Sequence, residues 1–254
     1  MNINSSVDLM FYRAVSELKA ESARYYASFL WWLLEPMIYM GAFYMVFGII
    51  FQRGGPDYVP FLLCGLISWK WFVSTVNNGA AAITASSGLI RQVYVKKFVF
   101  PGSVVVSNTF RFAFVFAIFI VLLLCFGNYP HPTWLALPLV LITQLFFNTA
   151  VCFFLAAVVP FVPDLRQVIE KLLLLGFFVS GIFFDINAAP DAIRPFFIFN
   201  PMAVIIRDYR IICLNHQWPF WQGMLLITIG SVFLFCIALM FLSRFDRQYA
   251  KVLV

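Results

Sequence analysis

Long apolar runs alternate with short polar joints along the chain, and this pattern predicts six helices that cross a membrane. The first five predicted spans cover residues 29–51, 58–83, 104–126, 134–159 and 168–184. Trp218 and Trp221 mark the start of a sixth predicted span, since tryptophan is typical of membrane–water boundaries. This span ends near residue 242. The fifth run is shorter than the roughly 20 residues that a straight span needs.

The N-terminal stretch before these spans predicts an amphipathic helix over residues 7–26. Val7, Phe11, Ala14 and Leu18 share one face of this helix, and charged side chains cover much of the rest. The charge density excludes a membrane span and favours a helix lying in the membrane interface, with a soluble helical tail as the alternative. Since the stretch lacks a cleavable apolar core, we expect no secretory signal peptide.

Residues 86–101 form a basic island between two apolar runs and read S-S-G-L-I-R-Q-V-Y-V-K-K-F-V-F-P, with no acidic residue. Its cations are Arg91, Lys96 and Lys97. At helical spacing the island also carries an apolar stripe, consisting of Leu89, Val93 and the region of Val95 and Phe98. The pattern predicts a short basic amphipathic helix at the membrane surface.

Residues 185–217 contain apolar pieces that are each too short to cross a membrane, because prolines and charges interrupt them. Broken backbone at membrane depth is tolerated only where it is buried in protein or lines water. We therefore predict a re-entrant or interfacial helical pair here. The fold class is an all-α polytopic membrane protein with six transmembrane helices, an N-terminal interfacial helix and a re-entrant segment between spans five and six, in one domain over residues 1–254.

The composition also indicates a membrane protein, because 63% of the residues are hydrophobic and 11% are charged. An ordinary soluble domain has roughly 25% charged residues. The net charge of +6 sits in short loops, which favours the positive-inside bias of membrane proteins over nucleic-acid binding. The five cysteines have no paired spacing, so we expect neither a disulfide framework nor a metal site.

Basic residues indicate the orientation, because they collect on the cytoplasmic side of a membrane. Six spans place both termini and the 86–101 island on one side. Eleven Lys and Arg residues lie on that side and four on the other. We therefore expect both termini and the island to be cytoplasmic. The four basic residues of the opposite side are Arg53, Arg194, Arg207 and Arg210.

No sequence motif for catalysis is present: there is no G-x-x-x-x-G-K-[ST] phosphate loop, no H-E-x-x-H pair and no nucleophile elbow. We therefore expect no catalytic, cofactor-binding or metal-binding residues in this chain. A membrane-bound enzyme that modifies glycans is the alternative, and its candidate residues are Asp185, Asp191, Asp208 and His216. We expect His131 and His216 to lie far apart in outer turns.

Lys70 falls near the middle of the second predicted span, where a charge costs roughly 2.5–3.5 kcal/mol and is expected to face a cavity or a carboxylate. Together with Asn77 and Asn78 it forms a candidate polar pathway through the membrane. A position nearer the interface, or an ion pair within the fold, is the alternative interpretation of Lys70.

Aromatic residues of the first predicted span recur at spacings that form one face of a helix. They are Tyr39, Phe43, Tyr44 and Phe47. Such a face suits a carbohydrate, because the C–H faces of sugars stack on flat rings. Plain packing between helices is the alternative.

Several motifs resemble those of the ABC-2 type exporter permeases, in an order and spacing that match across essentially the whole chain. They are S-F-L-W-W-L-L-E-P at 28–36, L-I-R-Q-V-Y-V-K-K-F-V-F-P at 89–101, V-P-D-L-R-Q-V at 162–168, S-G-I-F-F at 180–184, N-P at 200–201 and R-D-Y-R at 207–210. The chain departs from the family in lacking a proline within 94–97 and in having Gly181 where proline is usual.

Within that family the chain most resembles permeases that export lipid-linked polysaccharide, either lipopolysaccharide O-antigen or, next, capsule. The resemblance implies a homodimer in the bacterial inner membrane with two copies of a separate cytoplasmic ABC ATPase, which holds the ATP and Mg. An undecaprenyl-linked polysaccharide would enter near the N-terminal helix, and no nucleic acid is involved. A permease for a small amphiphile, such as a drug or a lipid, is the alternative within the family.

The resemblance also implies roles for particular residues. Closure of the ATPase would push on the 86–101 element, where we expect a set of residues to contribute to docking: Arg91, Tyr94, Lys96 and Lys97. The outer re-entrant segment would contain a second set, consisting of Asn200, Pro201, Arg207 and Arg210.

Overall fold

The structure is a computed structural model that describes residues 3–24, 28–50, 57–186, 197 and 199–252. The regular secondary structure of these residues is helical throughout. The α-helices are α1 Ile3–Arg24, α2 Ser28–Phe43, α3 Tyr58–Ala81, α4 Ser87–Gln92, α5 Val99–Cys125, α6 Leu137–Val158, α7 Leu165–Val179, α8 Pro201–Cys213, α9 Trp221–Arg244 and α10 Asp246–Val252. Tyr44–Ile50 continues α2 as a π-helix, and Thr84–Ser86 and Pro132–Ala136 are short 3₁₀ helices.

Within the described part of the chain, four helices are long and apolar enough to cross a membrane. They are α3, α5, α9 and the stretch of residues 132–158 that includes α6. These four coincide with the second, third, fourth and sixth predicted spans, so the long apolar runs of the sequence do form long apolar helices. α5 begins earlier than expected, at Val99, because residues 99–103 form its first turns and Pro101 is compatible with the first turn of a helix.

The first and fifth predicted spans form shorter or less regular helices. α2 changes at Tyr44 from α-helical to π-helical geometry, so the first predicted span is not one regular α-helix. α7 has 15 residues and ends at Val179, although the expected span continues to residue 184. It ends there because Gly181 adopts a φ of +71°, a left-handed conformation that glycine reaches without steric cost and that stops a helix.

α3 lies at the centre of the fold and is the most buried of the four long helices. Its Trp71 ring stacks on Phe112 of α5 with the centroids 3.9 Å apart. It approaches α6 closely at Gly79, where an added Cβ would lie 2.4 Å from the sulfur of Cys152. Among the polar residues of α3, Ser68 and Thr75 are buried between helices, as expected for polar groups inside a membrane protein, whereas Asn78 is exposed.

α1 is docked along α5 and is not a detached tail. Ala14 is fully buried, and Met10 lies where a Cβ on Gly102 of α5 would collide with its sulfur. Near its C-terminus, Glu21 accepts a hydrogen bond from Arg111 of α5 at 2.6 Å. Phe11, expected on the same face as Ala14, is instead 51% exposed, so the docked face is rotated from the predicted one.

Both ends of the described chain meet at the same end of the helix bundle. Arg13 of α1 donates a hydrogen bond to Ser86, and Tyr94 donates one to Asp246 of α10. The short segment between α3 and α5 thus lies between the N-terminal and C-terminal helices.

Candidate functional site

The island at 86–101 is not a single amphipathic helix, so this prediction was wrong. α4 ends at Gln92, and Val93 adopts extended backbone angles of φ −136° and ψ 139°. Residues 93–96 form an extended link that leads through a turn into α5. Val93 and Val95 are β-branched residues that favour extended backbone, which explains why the helix stops in this stretch.

The predicted apolar stripe of this island is also incorrect. Leu89 and Val93 are 41% and 56% exposed, whereas Ile90 and Val95 are buried. The apolar contacts of the island therefore come from one residue of α4 and one residue of the extended link. A helical periodicity cannot predict this pair, because the chain leaves the helix between them.

The basic residues of the island have different environments. Arg91 is exposed, and the ammonium of Lys96 lies 6.0 Å from the centre of the Phe98 ring. Lys97 is only 3% exposed, and its Nζ donates a hydrogen bond to the carbonyl of Val95 at 3.0 Å. Two of the three cations are thus accessible at the surface, whereas the third belongs to the interior.

Asp246 supplies the acid that the island itself lacks. The hydroxyl of Tyr94 donates a hydrogen bond to Asp246 Oδ2 at 2.9 Å, and the Nζ of Lys97 lies 3.9 Å from Asp246 Oδ1. The hydrogen bond and the negative charge of Asp246 raise the pKa of Tyr94. The sequence analysis missed this residue, because Asp246 lies far along the chain and no local spacing connects it with the island.

The same end of the bundle contains further buried polar contacts. The guanidinium of Arg13 lies 4.6 Å from the centre of the Phe100 ring, and burial lowers the pKa of Arg13. Tyr249 of α10 is fully buried, and its hydroxyl donates to the carbonyl of Ala157 at 2.8 Å. The island is therefore connected to α1 on one side and to α6 and α10 on the other.

A cavity of about 300 Å³ lies between α2, α3 and α7. Its lining residues are Tyr39, Leu66, Trp69, Lys70, Val73, Asn77, Glu170, Leu173, Leu174 and Phe177. The structure thus brings together three of the predicted pathway residues, Tyr39, Lys70 and Asn77. The cavity is also lined by Glu170, which was not among the predicted pathway residues, and so a cation and a carboxylate line the same cavity.

The other pathway residues whose side chains the structure describes do not line this cavity. The Asn78 amide donates to Asn108 Oδ1 at 3.4 Å on another side of α3. The Phe43 ring packs 4.4 Å from the Phe183 ring, and Tyr44 is exposed on the π-helix. The Phe47 side chain lies outside the described residues.

Part of the predicted outer segment also lies outside the described residues, including Pro190, Asp191, Arg194 and Pro195. Within the described part, Asn200 precedes α8 and caps it: its Oδ1 accepts from the backbone N–H groups of Met202 and Ala203 at 3.1 and 3.3 Å. Pro201 occupies the first turn, where its fixed φ favours a helix start. The Asn200 amide also donates to Ser180 Oγ at 3.1 Å and so connects α8 with the end of α7.

Arg210 of α8 makes the most extensive polar contacts at this end of the bundle. Its guanidinium is buried and donates to the carbonyl oxygens of Phe61, Gly181 and Ile182 at 3.1, 2.6 and 2.7 Å. Gly65 leaves space for it, since a Cβ there would lie 2.9 Å from the guanidinium. Arg210 therefore joins α8 to α3 and to the turn after α7.

The two residues before Arg210 connect α8 to other helices. Tyr209 is buried and donates to Gln144 of α6 at 2.8 Å, and Gln144 in turn donates to the carbonyl of Ser68 on α3. Asp208 accepts from the backbone N–H of Phe220 at 3.3 Å, just before α9 begins. Consecutive residues of the R-D-Y-R motif thus hold α3, α6, α9 and the turn after α7 in place.

The described candidate catalytic residues, Asp185, Asp208 and His216, form no metal-binding group. Among the described residues, no three His, Cys, Asp or Glu side chains are arranged to hold a metal ion. The prediction that the two histidines lie far apart was wrong, because the rings of His131 and His216 are 5.0 Å apart. They meet because the turn before α6 packs against the end of α8, where Thr133 contacts the carbonyl of Ile212.

Comparison with known proteins identifies relatives along almost the whole chain. It is 30% identical over 239 residues to the O-antigen export system permease protein RfbA of Myxococcus xanthus, covering 92% of this chain and 91% of that protein. It is 23% identical over 253 residues to the protein of the same name in Klebsiella pneumoniae, covering 99% and 97%. It is 26% identical over 212 residues to the polysialic acid transport protein KpsM of Escherichia coli, covering 81% and 80%. No protein-family model matches the chain.

We predict that Arg210→Gln strongly destabilises the protein, because it removes a buried, charged donor that hydrogen-bonds three carbonyl groups of two other parts of the chain. The expected loss is about 3 kcal/mol or more, measured as a lower unfolding midpoint in detergent. The matched control is Arg166→Gln, which removes an exposed arginine paired with Glu170 at 3.6 Å and should cost about 0.5 kcal/mol or less. Equal stability of the two variants would contradict the structural role of Arg210.

Proposed function

Because the chain belongs to the ABC-2 type permeases of O-antigen and polysaccharide export, we propose that it is the membrane subunit of an ATP-driven polysaccharide exporter. Three observations support this: the names of its relatives, their match along almost the full length, and four long apolar helices. The proposed substrate is a lipid-linked polysaccharide, O-antigen first and capsule second. The named relatives are permease and transport proteins, which is consistent with a subunit that performs no chemistry itself.

A separate ATPase is part of this proposal. The sequence contains no phosphate-binding loop, so the chain needs a partner that binds ATP and Mg. We propose two copies of this permease and two copies of a cytoplasmic ABC ATPase. The permease then converts the closure of the ATPases into movement of its helices.

The proposed transmembrane topology has six spans within one domain of residues 1–254. α2 with its π-helical continuation forms the first span and α7 the fifth, and these join the four long helices. Residues 185–217 form the re-entrant segment on the outer side, where α8 supplies a helix fixed by its buried polar contacts. The α1 helix, within the predicted 7–26 segment, lies in the membrane interface with Phe11 and Tyr12 exposed to lipid.

The proposed location is the inner membrane of a bacterium, with both termini in the cytoplasm. α1, the 84–98 segment and α10 meet at one end of the bundle, and this is the end richer in basic residues. The positive-inside bias then assigns that end to the cytoplasm. In this orientation, the cavity and Lys70 lie between the cytoplasmic end and the re-entrant segment.

We assign the contact with the ATPase to the exposed face of the island. Arg91 is exposed, Lys96 is half-buried and Tyr94 is 65% exposed, so these three side chains are accessible to a partner. Lys97 contributes indirectly, because its ammonium is buried behind Tyr94 at 5.3 Å from the ring centre. Docking therefore depends on Arg91, Tyr94 and Lys96, whereas Lys97 supports the backbone that presents them.

We assign the translocation pathway to the cavity between α2, α3 and α7. Tyr39, Trp69 and Phe177 provide aromatic rings for the C–H faces of sugars, while Lys70 and Asn77 provide polar groups for hydroxyls. Permeases for small amphiphiles remain a second candidate class, because leucine and valine side chains make up much of the lining.

A strain with the gene deleted distinguishes these two functions. We expect it to lose full-length surface glycan and to accumulate lipid-linked glycan inside the cell, with both effects reversed by a plasmid copy. Gel analysis of surface glycan and of lipid extracts measures this. A deletion strain that keeps its surface glycan but becomes drug-sensitive would favour the amphiphile transporter.

For the docking face, we expect the double variant Arg91→Glu, Lys96→Glu to weaken ATPase binding by about tenfold or more, since like charges replace complementary ones at an interface. Co-purification of the ATPase with the detergent-solubilised permease measures this loss. The control is the exposed Lys171→Glu on α7, which should leave binding unchanged. Wild-type binding in the double variant would remove the island from the docking site.

For the pathway, we expect Lys70→Met to lower glycan export about tenfold while leaving the permease inserted and bound to its ATPase, because the cavity loses its cation. The control Lys171→Met removes an exposed lysine of the neighbouring helix that does not line the cavity. Export is compared at equal amounts of membrane-inserted protein. Unchanged export in Lys70→Met would contradict a role of Lys70 in the pathway and assign it a structural role only.

A further inference from the structure

Three contacts of Asp246 converge on the extended link between α4 and α5. Its Oδ2 accepts from the hydroxyl of Tyr94 at 2.9 Å, and its Oδ1 accepts from the backbone N–H of Lys97 at 3.4 Å. The third partner is the ammonium of Lys97 at 3.9 Å. A single carboxylate of the C-terminal helix thus contacts Tyr94 within the link and Lys97 in the turn that follows it.

Asp246 itself is held in place by α10. Tyr249, in the same short helix, is fully buried, and its hydroxyl donates to the carbonyl of Ala157 near the end of α6. The Tyr249 ring also lies 4.9 Å from the ring of Phe161, just after α6. Asp246 therefore forms a bridge from the extended link to the ends of α6 and α9, two of the long membrane helices.

The buried ammonium of Lys97 requires a compensating negative charge, and this bridge supplies it. Its side chain is 3% exposed, and a buried cation without a compensating charge destabilises the conformation that buries it. The carbonyl of Val95 satisfies one donor, and Asp246 supplies the negative charge. Removing that charge favours a different conformation of the link, in which Lys97 reaches water.

While Asp246 holds the link in place, the side chain of Tyr94 is fixed in one orientation at the surface. Its hydroxyl is fixed by Asp246, while 65% of the side chain remains exposed next to Arg91 and Lys96. A tyrosine held in one orientation loses little conformational entropy when a partner binds, and tyrosine is among the residues that most often dominate protein interfaces.

We propose that Asp246 is a positioning residue for coupling: it holds the link of residues 93–96 in its non-helical conformation, presents Tyr94 to the ATPase and transmits its movement through α10 to α6 and α9. This inference rests on the proposed function as an ATP-driven permease. It adds the C-terminal helix to the coupling site, and it explains why the island has no acid of its own.

The test uses the purified complex of permease and ATPase, reconstituted in lipid vesicles with lipid-linked glycan. Export and ATP hydrolysis are measured together, and the readout is glycan exported per ATP hydrolysed. We expect Asp246→Asn to lower this ratio roughly tenfold, as the loss of a charge-assisted interaction of about 1.4 kcal/mol predicts. Asp246→Glu should restore most of the ratio, because it returns the charge.

Tyr94→Phe removes only one hydroxyl and keeps the proposal testable if Asp246→Asn yields little folded protein. We expect it to lower the ratio several-fold, and to add little when combined with Asp246→Asn, since both variants break the same contact. The control Asp164→Asn changes an exposed acid at the start of α7 that makes no capping hydrogen bond, and it should leave the ratio unchanged.

The outcomes separate this inference from the proposed function. A wild-type complex that exports no glycan overturns the proposed function. A wild-type complex that exports glycan, with unchanged ratios in Asp246→Asn and Tyr94→Phe, overturns the role of Asp246 alone. A lower amount of complex with an unchanged ratio shows a purely structural contact and also contradicts the proposal.

Discussion

The end of the helix bundle where α8 meets α3 and the turn after α7 depends on one buried cation, the guanidinium of Arg210. Inside a membrane no water is available for a free carbonyl group, and each unsatisfied backbone group costs several kcal/mol. The turn after α7 leaves such groups at Gly181 and Ile182, and Arg210 satisfies both while also contacting Phe61 of α3. Because Asp208 and Tyr209 bind α9 and α6 at the same level, one helical turn determines how four parts of the bundle are arranged.

At the opposite end of the bundle, a buried cation is again held by polar groups. Lys97 is a second buried cation, compensated by a backbone carbonyl and by Asp246. The long helices between these two ends are packed by apolar and aromatic contacts, such as that between Trp71 and Phe112. In the proposed function, a surface element attached to helix ends converts a push by the ATPase into movement of those helices.

The sequence predicts the long elements well and the joints poorly, for physical reasons. Spans such as Val99–Cys125 are recognisable because hydrophobic length alone specifies them. Asn200 and Pro201 form a cap that is also a local signal for the start of a helix, although it was not used to predict one. By contrast, the extended link, the contact with Asp246 and the meeting of the two histidines depend on residues distant in the chain, so periodicity does not predict them.

In the candidate site, too, some residues could be predicted from the sequence and others could not. A lysine in the middle of an apolar run indicated a cavity, and Lys70 does line one together with Tyr39 and Asn77. That Glu170 joins them follows only from the packing of α7 against α3, for which the sequence provides no signal. The island was recognised by its charge, although the burial of Lys97 could not be predicted from it.

The most direct test of the proposed export function is transport by the purified permease in lipid vesicles. The chain is reconstituted alone or with its ATPase, and the transfer of lipid-linked glycan across the bilayer is measured with and without ATP. We expect transfer only when permease, ATPase and ATP are all present. ATP hydrolysis by the permease alone, or a complete complex that moves small amphiphiles and no glycan, would contradict this function.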